Sequence, residues 1–233
     1  MLPQPTVRAS VRPEAIRQMP QQADQPVVAE HNALAQAMQL MGAVMPFLRN
    51  SEIFGENEPA EYVYRVQSGC VRTYKIFSDG RRQIVGFYLP GEIFGLEFGG
   101  EHTLSAEAIT DAKVVLVKRS AVTALAGSDP AICFELYALT GRELQRMQDR
   151  VLLLVKKAQE RVASFVLEVA ERGGSGNVIT LPMPRRDIAD YLGLTLETVS
   201  RVLGSLEGAT AIEIPTSRCI VLRNRSLLKE LMS

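Results

Sequence analysis

The sequence lacks tryptophan and contains only two histidines, His31 and His102, and three cysteines, Cys70, Cys133 and Cys219. The cysteines lie far apart and follow no metal-ligand spacing, which favours small structural thiols. Two distant histidines also do not supply the cluster of histidine and carboxylate ligands that a cupin-type metal enzyme requires. We therefore expect no enzyme activity and no cofactor.

Long apolar runs are also missing, since none approaches the roughly 20 residues that a membrane-spanning helix requires. No segment has the charged, apolar and small-residue order of a secretory signal, so we expect a cytoplasmic protein with no membrane partner. Basic and acidic residues are equal in number, 26 of each, and the net charge gives no evidence for a nucleic-acid partner. Any basic surface must come from local arrangement.

The first part of the chain divides into two segments. Residues 1–30 are rich in glutamine and proline and have little apolar periodicity, which is typical of a flexible arm. Residues 31–130 begin with a helical pattern over 31–47 and continue with short strands between glycine-containing turns, which predicts a small β-barrel or jelly roll. The strand candidates are Tyr62–Val66, Cys70–Phe77, Gln83–Leu89 and Lys113–Lys118.

Residues 131–158 predict one long helix, because apolar residues recur at alternating spacings of four and three over almost four heptads. The C-terminal half of this seam is formed by Leu144, Met147, Val151 and Leu154. Since the opposite face is polar, we expect two copies of the helix to pair in a homodimer. The alternative is a core helix that packs against the roll of its own chain.

Residues 159–233 contain two short helical patterns joined by a tight turn. The first pattern ends at Gly193, and Thr195 follows as the expected N-cap of the second. Their apolar faces carry Ile188, Ala189 and Leu192, and then Val199, Val202, Leu203 and Leu206. This spacing predicts a helix-turn-helix, and apolar alternation around Pro215 predicts a hairpin wing after it.

The exposed positions near the start of the second helix are Leu196, Glu197, Ser200 and Arg201. A recognition helix presents this end to base edges in the major groove of double-stranded DNA. Arginine can pair with guanine, glutamate can accept from cytosine, and serine can bond to either. The alternative is an ordinary helical hairpin whose surface carries a glutamate and an arginine.

The string from Asp187 to Arg201 reads Asp-Ile-Ala-Asp-Tyr-Leu-Gly-Leu-Thr-Leu-Glu-Thr-Val-Ser-Arg. It resembles the DNA-reading motif of the Crp/Fnr superfamily of bacterial transcription regulators, in a form typical of the Fnr and FixK branches. The resemblance covers roughly residues 35–230. It implies an α+β fold with an N-terminal cyclic-nucleotide-binding-like β-roll, a long dimerisation helix and a C-terminal winged helix-turn-helix. It also implies a homodimeric activator of low-oxygen or nitrogen-fixation genes that binds a palindrome of TTGA-type half-sites.

The same resemblance assigns roles to single residues. Arg201 would read a guanine, Glu197 the opposite strand and Ser200 a neighbouring thymine, whereas Leu196 would supply only van der Waals contact. Positions that contact phosphates, and so set register without reading sequence, are Arg185, Thr195 and Thr198, with Arg186 as a further candidate.

Two other segments bear on partners. The turn before Gln83 resembles the loop of Fnr relatives that touches RNA polymerase, so Arg81 and Arg82 are candidate polymerase contacts, or else part of a solvated hairpin tip. Fnr-type oxygen sensors carry a cluster of N-terminal cysteines, but this chain has no cysteine before Cys70, which argues against a [4Fe–4S] centre.

The nucleotide-binding segment departs from the cyclic-AMP-binding relatives. Those relatives follow a Gly-Glu pair with an Arg-Ser-Ala whose arginine pairs with the cyclic phosphate. This chain keeps Gly91 and Glu92 but has Leu104 where the arginine would fall. Burial of a phosphate against leucine leaves its charge unpaired, so we expect a ligand-independent regulator. The alternatives are a nucleotide-responsive regulator of the same superfamily and a nucleotide- or protein-interaction module that does not bind DNA.

Overall fold

The computed structural model describes residues 33–173 and 176–231, and the predicted arm at residues 1–30 lies outside them. The helices are α1 (Ala33–Met41), α2 (Arg119–Ser128), α3 (Pro130–Leu153), α4 (Ala158–Arg172), α5 (Arg185–Leu192), α6 (Leu196–Gly208) and α7 (Arg225–Glu230). The strands are β1 (Ala43–Phe47), β2 (Glu52–Phe54), β3 (Tyr62–Ser68), β4 (Val71–Ile76), β5 (Arg82–Tyr88), β6 (Ile93–Phe94), β7 (Ser105–Ala108), β8 (Ala112–Lys118), β9 (Val178–Thr180), β10 (Ile212–Thr216) and β11 (Cys219–Leu222). Within the described residues, no helix has the length and apolar character needed to cross a bilayer.

Strands β1 to β8 form two antiparallel four-stranded sheets, in the orders β1-β8-β3-β6 and β2-β7-β4-β5. The two sheets enclose an aromatic core that includes Phe54, Tyr64 and Phe94. Gly69 makes the turn between β3 and β4 with a φ of 83°, and a Cβ there would lie 2.4 Å from the Asp111 carbonyl oxygen. Only glycine fits this turn. The predicted β-roll is confirmed.

The four strand candidates are present with small shifts of their ends, but four further strands were not predicted. β2, β6 and β7 have only two to four residues each, which is too short for an alternating pattern to show. β1 was wrongly assigned to a helix over residues 31–47. The helix ends at Met41 because Gly42 approaches β8 so closely that a Cβ would lie 2.4 Å from a Val115 methyl carbon.

The long helix was also predicted with wrong ends. Its N-terminus is at Pro130, where the Asp129 carboxylate accepts a hydrogen bond from the Ala131 N–H at 2.9 Å and caps the helix. Its last helical residue is Leu153 rather than residue 158, and a turn leads to α4. Arg161 of α4 closes this turn by donating to the Leu154 carbonyl oxygen at 2.6 Å. The heptad pattern therefore continues past the end of the helix.

The C-terminal part packs α4 to α7 around one apolar core, with a three-stranded sheet in the order β10-β11-β9 beside them. The predicted hairpin wing is β10 and β11, and β9 adds a third strand that was not predicted. The core continues into the roll through Ile84 and Phe87, since the Phe87 ring lies 5.1 Å from the Tyr191 ring of α5. The winged helix-turn-helix is therefore packed directly against β5.

Candidate nucleic-acid interface

A tight turn joins α5 to α6, as predicted. Gly193 ends α5 in the left-handed conformation, with φ 65° and ψ 39°, which glycine adopts without steric strain. The Leu194 N–H donates to the Ala189 carbonyl oxygen at 3.0 Å and closes the turn. The Thr195 hydroxyl then accepts a hydrogen bond from the Thr198 N–H at 3.1 Å and caps α6. These bonds fix the angle at which α6 leaves α5.

The four candidate base-reading residues share one face of α6. Leu196 is 41% exposed, Glu197 and Arg201 are exposed, and Ser200 is half-buried. The opposite face is buried in the core through Val199, Leu203 and Leu206. An exposed polar face at the N-terminal end of a helix, held by a buried apolar face, is the arrangement that base reading in a major groove requires.

Glu197 is held in its charged form. Hydrogen bonds from its own backbone N–H and from the Thr195 hydroxyl lower the pKa of this carboxyl. The N-terminus of α6 adds a partial positive charge beside it. At neutral pH, Glu197 is therefore an acceptor, suited to the amino group of cytosine and unsuited to a phosphate.

The candidate phosphate-contacting residues lie around the start of α5 and α6. Arg186 is exposed, and Arg185 is half-buried with its Nε atom buried and without a hydrogen-bond partner among the described residues. The Thr195 and Thr198 hydroxyl oxygens lie 3.0 Å apart at the start of α6, and a hydroxyl proton there can turn to an outside acceptor. Together with the first N–H groups of α6, these donors suit an anionic backbone.

Arg81 and Arg82 lie in different environments despite their adjacent positions. The Arg81 side chain is 81% exposed and binds Asp79 of the same hairpin at 2.7 Å. Arg82 turns toward the helix-turn-helix, where its guanidinium binds Asp187 at 2.5 Å and Asp190 at 2.6 Å. Burial lowers the pKa of Arg82, but hydrogen bonds and charge from these two carboxylates outweigh it and raise the pKa. Only Arg81 therefore offers an exposed charge to a large partner.

The contacts of Asp187 and Asp190 with the roll were not foreseen from the sequence. Asp187 is 2% exposed and binds Arg72 of β4 as well as Arg82 of β5. An acidic residue beside the apolar face of α5 is the only local signal. Its partners are 105 and 115 residues away, so sequence spacing could not identify them.

The contacts of Arg150, on the polar face of α3, were also not predicted from the sequence. Its guanidinium lies over the Tyr191 ring, 4.2 Å from the ring centre, and donates to the backbone carbonyls of Ile84 and Val85. A further bond joins it to the Tyr191 carbonyl oxygen at 3.1 Å. This one side chain therefore links α3, β5 and α5.

The candidate dimer seam on α3 is exposed in the single chain. The exposed fractions are 60% for Leu144, 38% for Met147, 63% for Val151 and 62% for Leu154. The N-terminal half of α3 packs on the roll through Ile132, Leu136 and Leu139. The helix thus has one apolar side against its own chain and a second apolar side that faces outward, where a helix of equal pattern can pack.

The interior of the roll is filled by aromatic rings near the segment that resembles a nucleotide pocket. His102 is 1% exposed and stacks on Phe54 with ring centres 3.6 Å apart, and the Tyr64 and Phe94 rings are 5.1 Å apart. Arg119 holds the loop after β6 by donating to the Gly99 carbonyl oxygen at 2.7 Å. Within the described residues, no group of histidine, cysteine, aspartate and glutamate side chains is arranged to hold a metal ion.

Two family models match the sequence. The model described as a cyclic nucleotide-binding domain matches residues 44–129, which is the roll and α2. The model described as a Crp-like helix-turn-helix domain matches residues 160–231, which is α4 to α7 with the wing. The two matched ranges therefore lie on either side of α3.

Similar proteins match over most of the chain. The nitrogen fixation regulation protein FixK of Azorhizobium caulinodans is 50% identical over 214 residues, which cover 89% of this chain and 86% of that protein. The protein of the same name from Rhizobium meliloti is 40% identical and covers 77% of this chain and 82% of that protein. The solved structure of FixK2 from Bradyrhizobium japonicum has a TM-score of 0.79 and 50% identity, covering 83% of this chain and 98% of that chain.

Proposed function

The chain belongs to the Crp/Fnr superfamily of transcription regulators, in its FixK-type branch, and on that premise we propose that it binds palindromic DNA as a homodimer without a small-molecule ligand. The exposed face of α6 carries this proposal, because it presents an arginine, a glutamate and a serine at the N-terminal end of a helix whose opposite face is buried. We place the protein in the cytoplasm. It is not an enzyme in this proposal, and it uses no cofactor.

The base-reading roles follow from the chemistry of each side chain. Arg201 donates two hydrogen bonds to guanine O6 and N7, and Glu197 accepts from a cytosine amino group on the opposite strand. Ser200 contacts a neighbouring thymine, and Leu196 contributes only van der Waals contact, so one base pair is read loosely. These contacts suit a TTGA-type half-site.

Phosphate contacts set the register of the helix on the duplex. We assign them to Arg185 and Arg186 at the start of α5 and to Thr195 and Thr198 at the start of α6. Such contacts carry no sequence information, but they dominate the salt dependence of binding. Since Asp187 and Asp190 are paired with arginines of the roll, neither leaves an uncompensated negative charge toward the DNA.

Dimerisation places two such half-site readers on one palindrome. The exposed apolar stripe of α3 supports a parallel pair of helices, formed by Leu144, Met147, Val151 and Leu154 of each copy. A two-fold dimer with half-sites about one helical turn apart matches a palindromic operator. Leu154 lies just beyond the helix, at its C-cap.

The regulated genes and the route to activation are inferred from the relatives. The names of the relatives, nitrogen fixation regulation proteins, support control of nitrogen-fixation genes. We propose that the protein acts there, or on low-oxygen genes, as an activator. Activation requires contact with RNA polymerase, and we propose the hairpin between β4 and β5 for it. Its exposed tip carries Arg81, whereas Arg82 is engaged with α5.

A gel-shift experiment without added ligand tests this function against its alternatives. Specific binding of the ligand-free protein to a TTGA-type palindrome is the expected result. Binding only after cyclic nucleotide is added would instead support a nucleotide-responsive regulator. If no DNA binds under either condition, the helical tail serves as an interaction module and the proposed function is wrong.

A further inference from the structure

Four charged side chains join the helix-turn-helix to the roll, and we call them the interdomain clamp: Arg72, Arg82, Asp187 and Asp190. The two arginines extend from the neighbouring strands β4 and β5, and both bind the same Asp187 carboxylate, one on each oxygen. Arg82 also binds Asp190 through two of its nitrogens, at 2.6 and 2.9 Å. The clamp is thus a bonded unit rather than a set of separate surface pairs.

Neighbouring contacts connect the clamp to the candidate dimer helix. The Gln83 side-chain amide donates to the Asp190 carbonyl oxygen at 2.6 Å, and Arg150 of α3 stacks on Tyr191 while bonding β5. Strand β5 is therefore bonded both to α3 and to α5. This strand couples the position of α5 to the position of α3, the helix that carries the seam.

The position of α5 in turn sets that of the reading face. Only three residues separate Leu192 at the end of α5 from Leu196 at the start of α6, and the turn between them is fixed by hydrogen bonds. A small rotation of α5 on the roll would move Glu197 and Arg201 with it. In a dimer, the same rotation would change the distance between the two reading faces.

The energetics favour a role in orientation over one in overall stability. A buried ion pair contributes little net stability, because removal of charges from water costs about as much as their attraction returns. Apolar packing of Phe87 against Tyr191 and Phe165 already holds the two parts together. Directional bonds to a single carboxylate select one docking angle among several that apolar packing alone would allow.

We propose that the interdomain clamp fixes the spacing and angle of the two reading helices in the dimer. The clamp thereby determines which spacing between half-sites the dimer binds best. This inference rests on the proposed function. The clamp residues act as positioning residues, since none of them belongs to the reading helix α6. Their loss should leave each half-site readable while the two copies lose their fixed separation.

The experiment measures dissociation constants for palindromes with the natural spacer and with one base pair added or removed. One base pair changes the separation of the half-sites and rotates one of them by about a tenth of a turn. The wild-type dimer should bind the altered spacers much more weakly than the natural one. Asp187→Asn and Asp190→Asn should weaken binding to the natural spacer by about tenfold while changing the altered spacers little, so that spacing discrimination is lost.

A matched control removes a carboxylate that pairs with the same sheet but does not reach α5. Glu56 binds Lys75 of β4 at 2.6 Å, and Glu56→Gln should keep wild-type affinity and wild-type spacing discrimination. Asp190→Asn is the milder clamp variant, because its side chain is 23% exposed and Asp187 stays paired. Urea unfolding and sedimentation of each variant confirm that it is folded and dimeric at the concentrations used.

Three outcomes overturn the inference. Clamp variants that lose affinity equally for every spacer would show a role in general binding alone, and variants that keep full spacing discrimination would show no positioning role. Loss of discrimination by Glu56→Gln as well would show that any lost carboxylate has this effect. A wild-type protein that binds no palindrome at any spacing would instead overturn the proposed function, on which this inference rests.

Discussion

Arg81 and Arg82 show how two adjacent residues of one type come to have separate functions. Arg81 is bound only within its own exposed hairpin, whereas Arg82 is held by Asp187 and Asp190 of α5. Arg81→Glu should therefore reduce transcription while DNA affinity stays unchanged. Arg82→Glu should reduce both, since it would place a third carboxylate beside two others.

In vitro transcription and operator binding, measured on the same two variants, check this prediction. Equal loss of DNA affinity in both variants would mean that the hairpin tip contacts DNA and not polymerase. Unchanged transcription by Arg81→Glu would mean that the tip is only a solvated turn.

Cys70 gives the stability of the fold a dependence on alkaline pH. Its thiol is fully buried, and burial raises its pKa from 9.0 to about 12. The unfolded chain releases this proton near pH 9 while the folded chain keeps it, so the free energy of unfolding falls as pH rises from about 9 to 12. For one group the slope is about 1.4 kcal/mol per pH unit.

Urea unfolding of wild type and Cys70→Ala at pH 8 and pH 10.5 tests this dependence. The difference in free energy of unfolding between the two proteins should shrink by about 2 kcal/mol over this range. Other titrating groups, such as Tyr64, are common to both proteins and cancel in the difference. A difference that stays constant with pH would show that the Cys70 thiol titrates alike in both states.

Base contacts and phosphate contacts should be made by different residues of the interface, and single substitutions should distinguish them. Arg201→Ala should cost about 1–3 kcal/mol per half-site and flatten the preference for one base pair, because a bidentate guanine contact is lost. Glu197→Ala should relax the choice opposite it and strengthen non-specific binding, since a negative charge near phosphates is removed. Arg185→Ala should weaken all sequences alike and lower the salt slope by about one unit.

The measurement is operator binding at several salt concentrations, against the palindrome and copies altered at each half-site base. An even loss of affinity over every base variant in Arg201→Ala would assign Arg201 to a phosphate. If Arg185→Ala lost affinity only for particular bases, Arg185 would be a base-reading residue and not a phosphate contact.

At the scale of the element, α3 has two apolar sides with different partners. One packs on the roll through Ile132, Leu136 and Leu139, and the other is the exposed seam. Leu144→Glu should produce monomers with weakened operator binding, because a dimer would bury two like charges across its two-fold axis. Sedimentation at several protein concentrations measures this.

Arg142→Gln is the matched control for the seam variant. It changes the net charge by the same amount from an exposed position on the same helix, away from the seam, and should leave the dimer intact. A dimeric Leu144→Glu would mean that the copies associate through another surface.

The elements that were correctly predicted from the sequence are each long enough for their apolar residues to show a clear periodicity. β3, β4, β5 and β8 have six or seven residues each, and α5 and α6 carry regular apolar faces. β1 was mistaken for a continuation of α1 because Val44 and Met45 also fit a helical spacing, although Pro46 cannot continue a helix. The close approach of Gly42 to β8 has no signature in the sequence. The clamp could not be predicted, since its bonds join residues more than a hundred positions apart.

At the scale of the whole molecule, the roll and the helix-turn-helix are bonded together within one chain. Arg72 and Arg82 reach α5, Arg172 of α4 binds Glu92 of the roll at 2.6 Å, and Phe87 enters the core shared with α4. A ligand can shift an arrangement only by its differential affinity for two states. Direct bonds between the two parts favour one arrangement without a ligand, which agrees with the ligand-independent regulation that we propose.

Cyclic AMP should therefore not bind at micromolar concentration. Micromolar affinity requires about −8 kcal/mol. Leu104 offers no charge to a phosphate, and aromatic rings fill the roll interior. Calorimetric titration should show no binding heat, while operator DNA added to the same sample binds and proves the protein active. Micromolar binding of cyclic AMP would contradict this prediction. If cyclic AMP also raised the affinity for the operator, the regulator would be nucleotide-responsive. The arrangement in which the roll is bonded to the helix-turn-helix would then be one of two conformations.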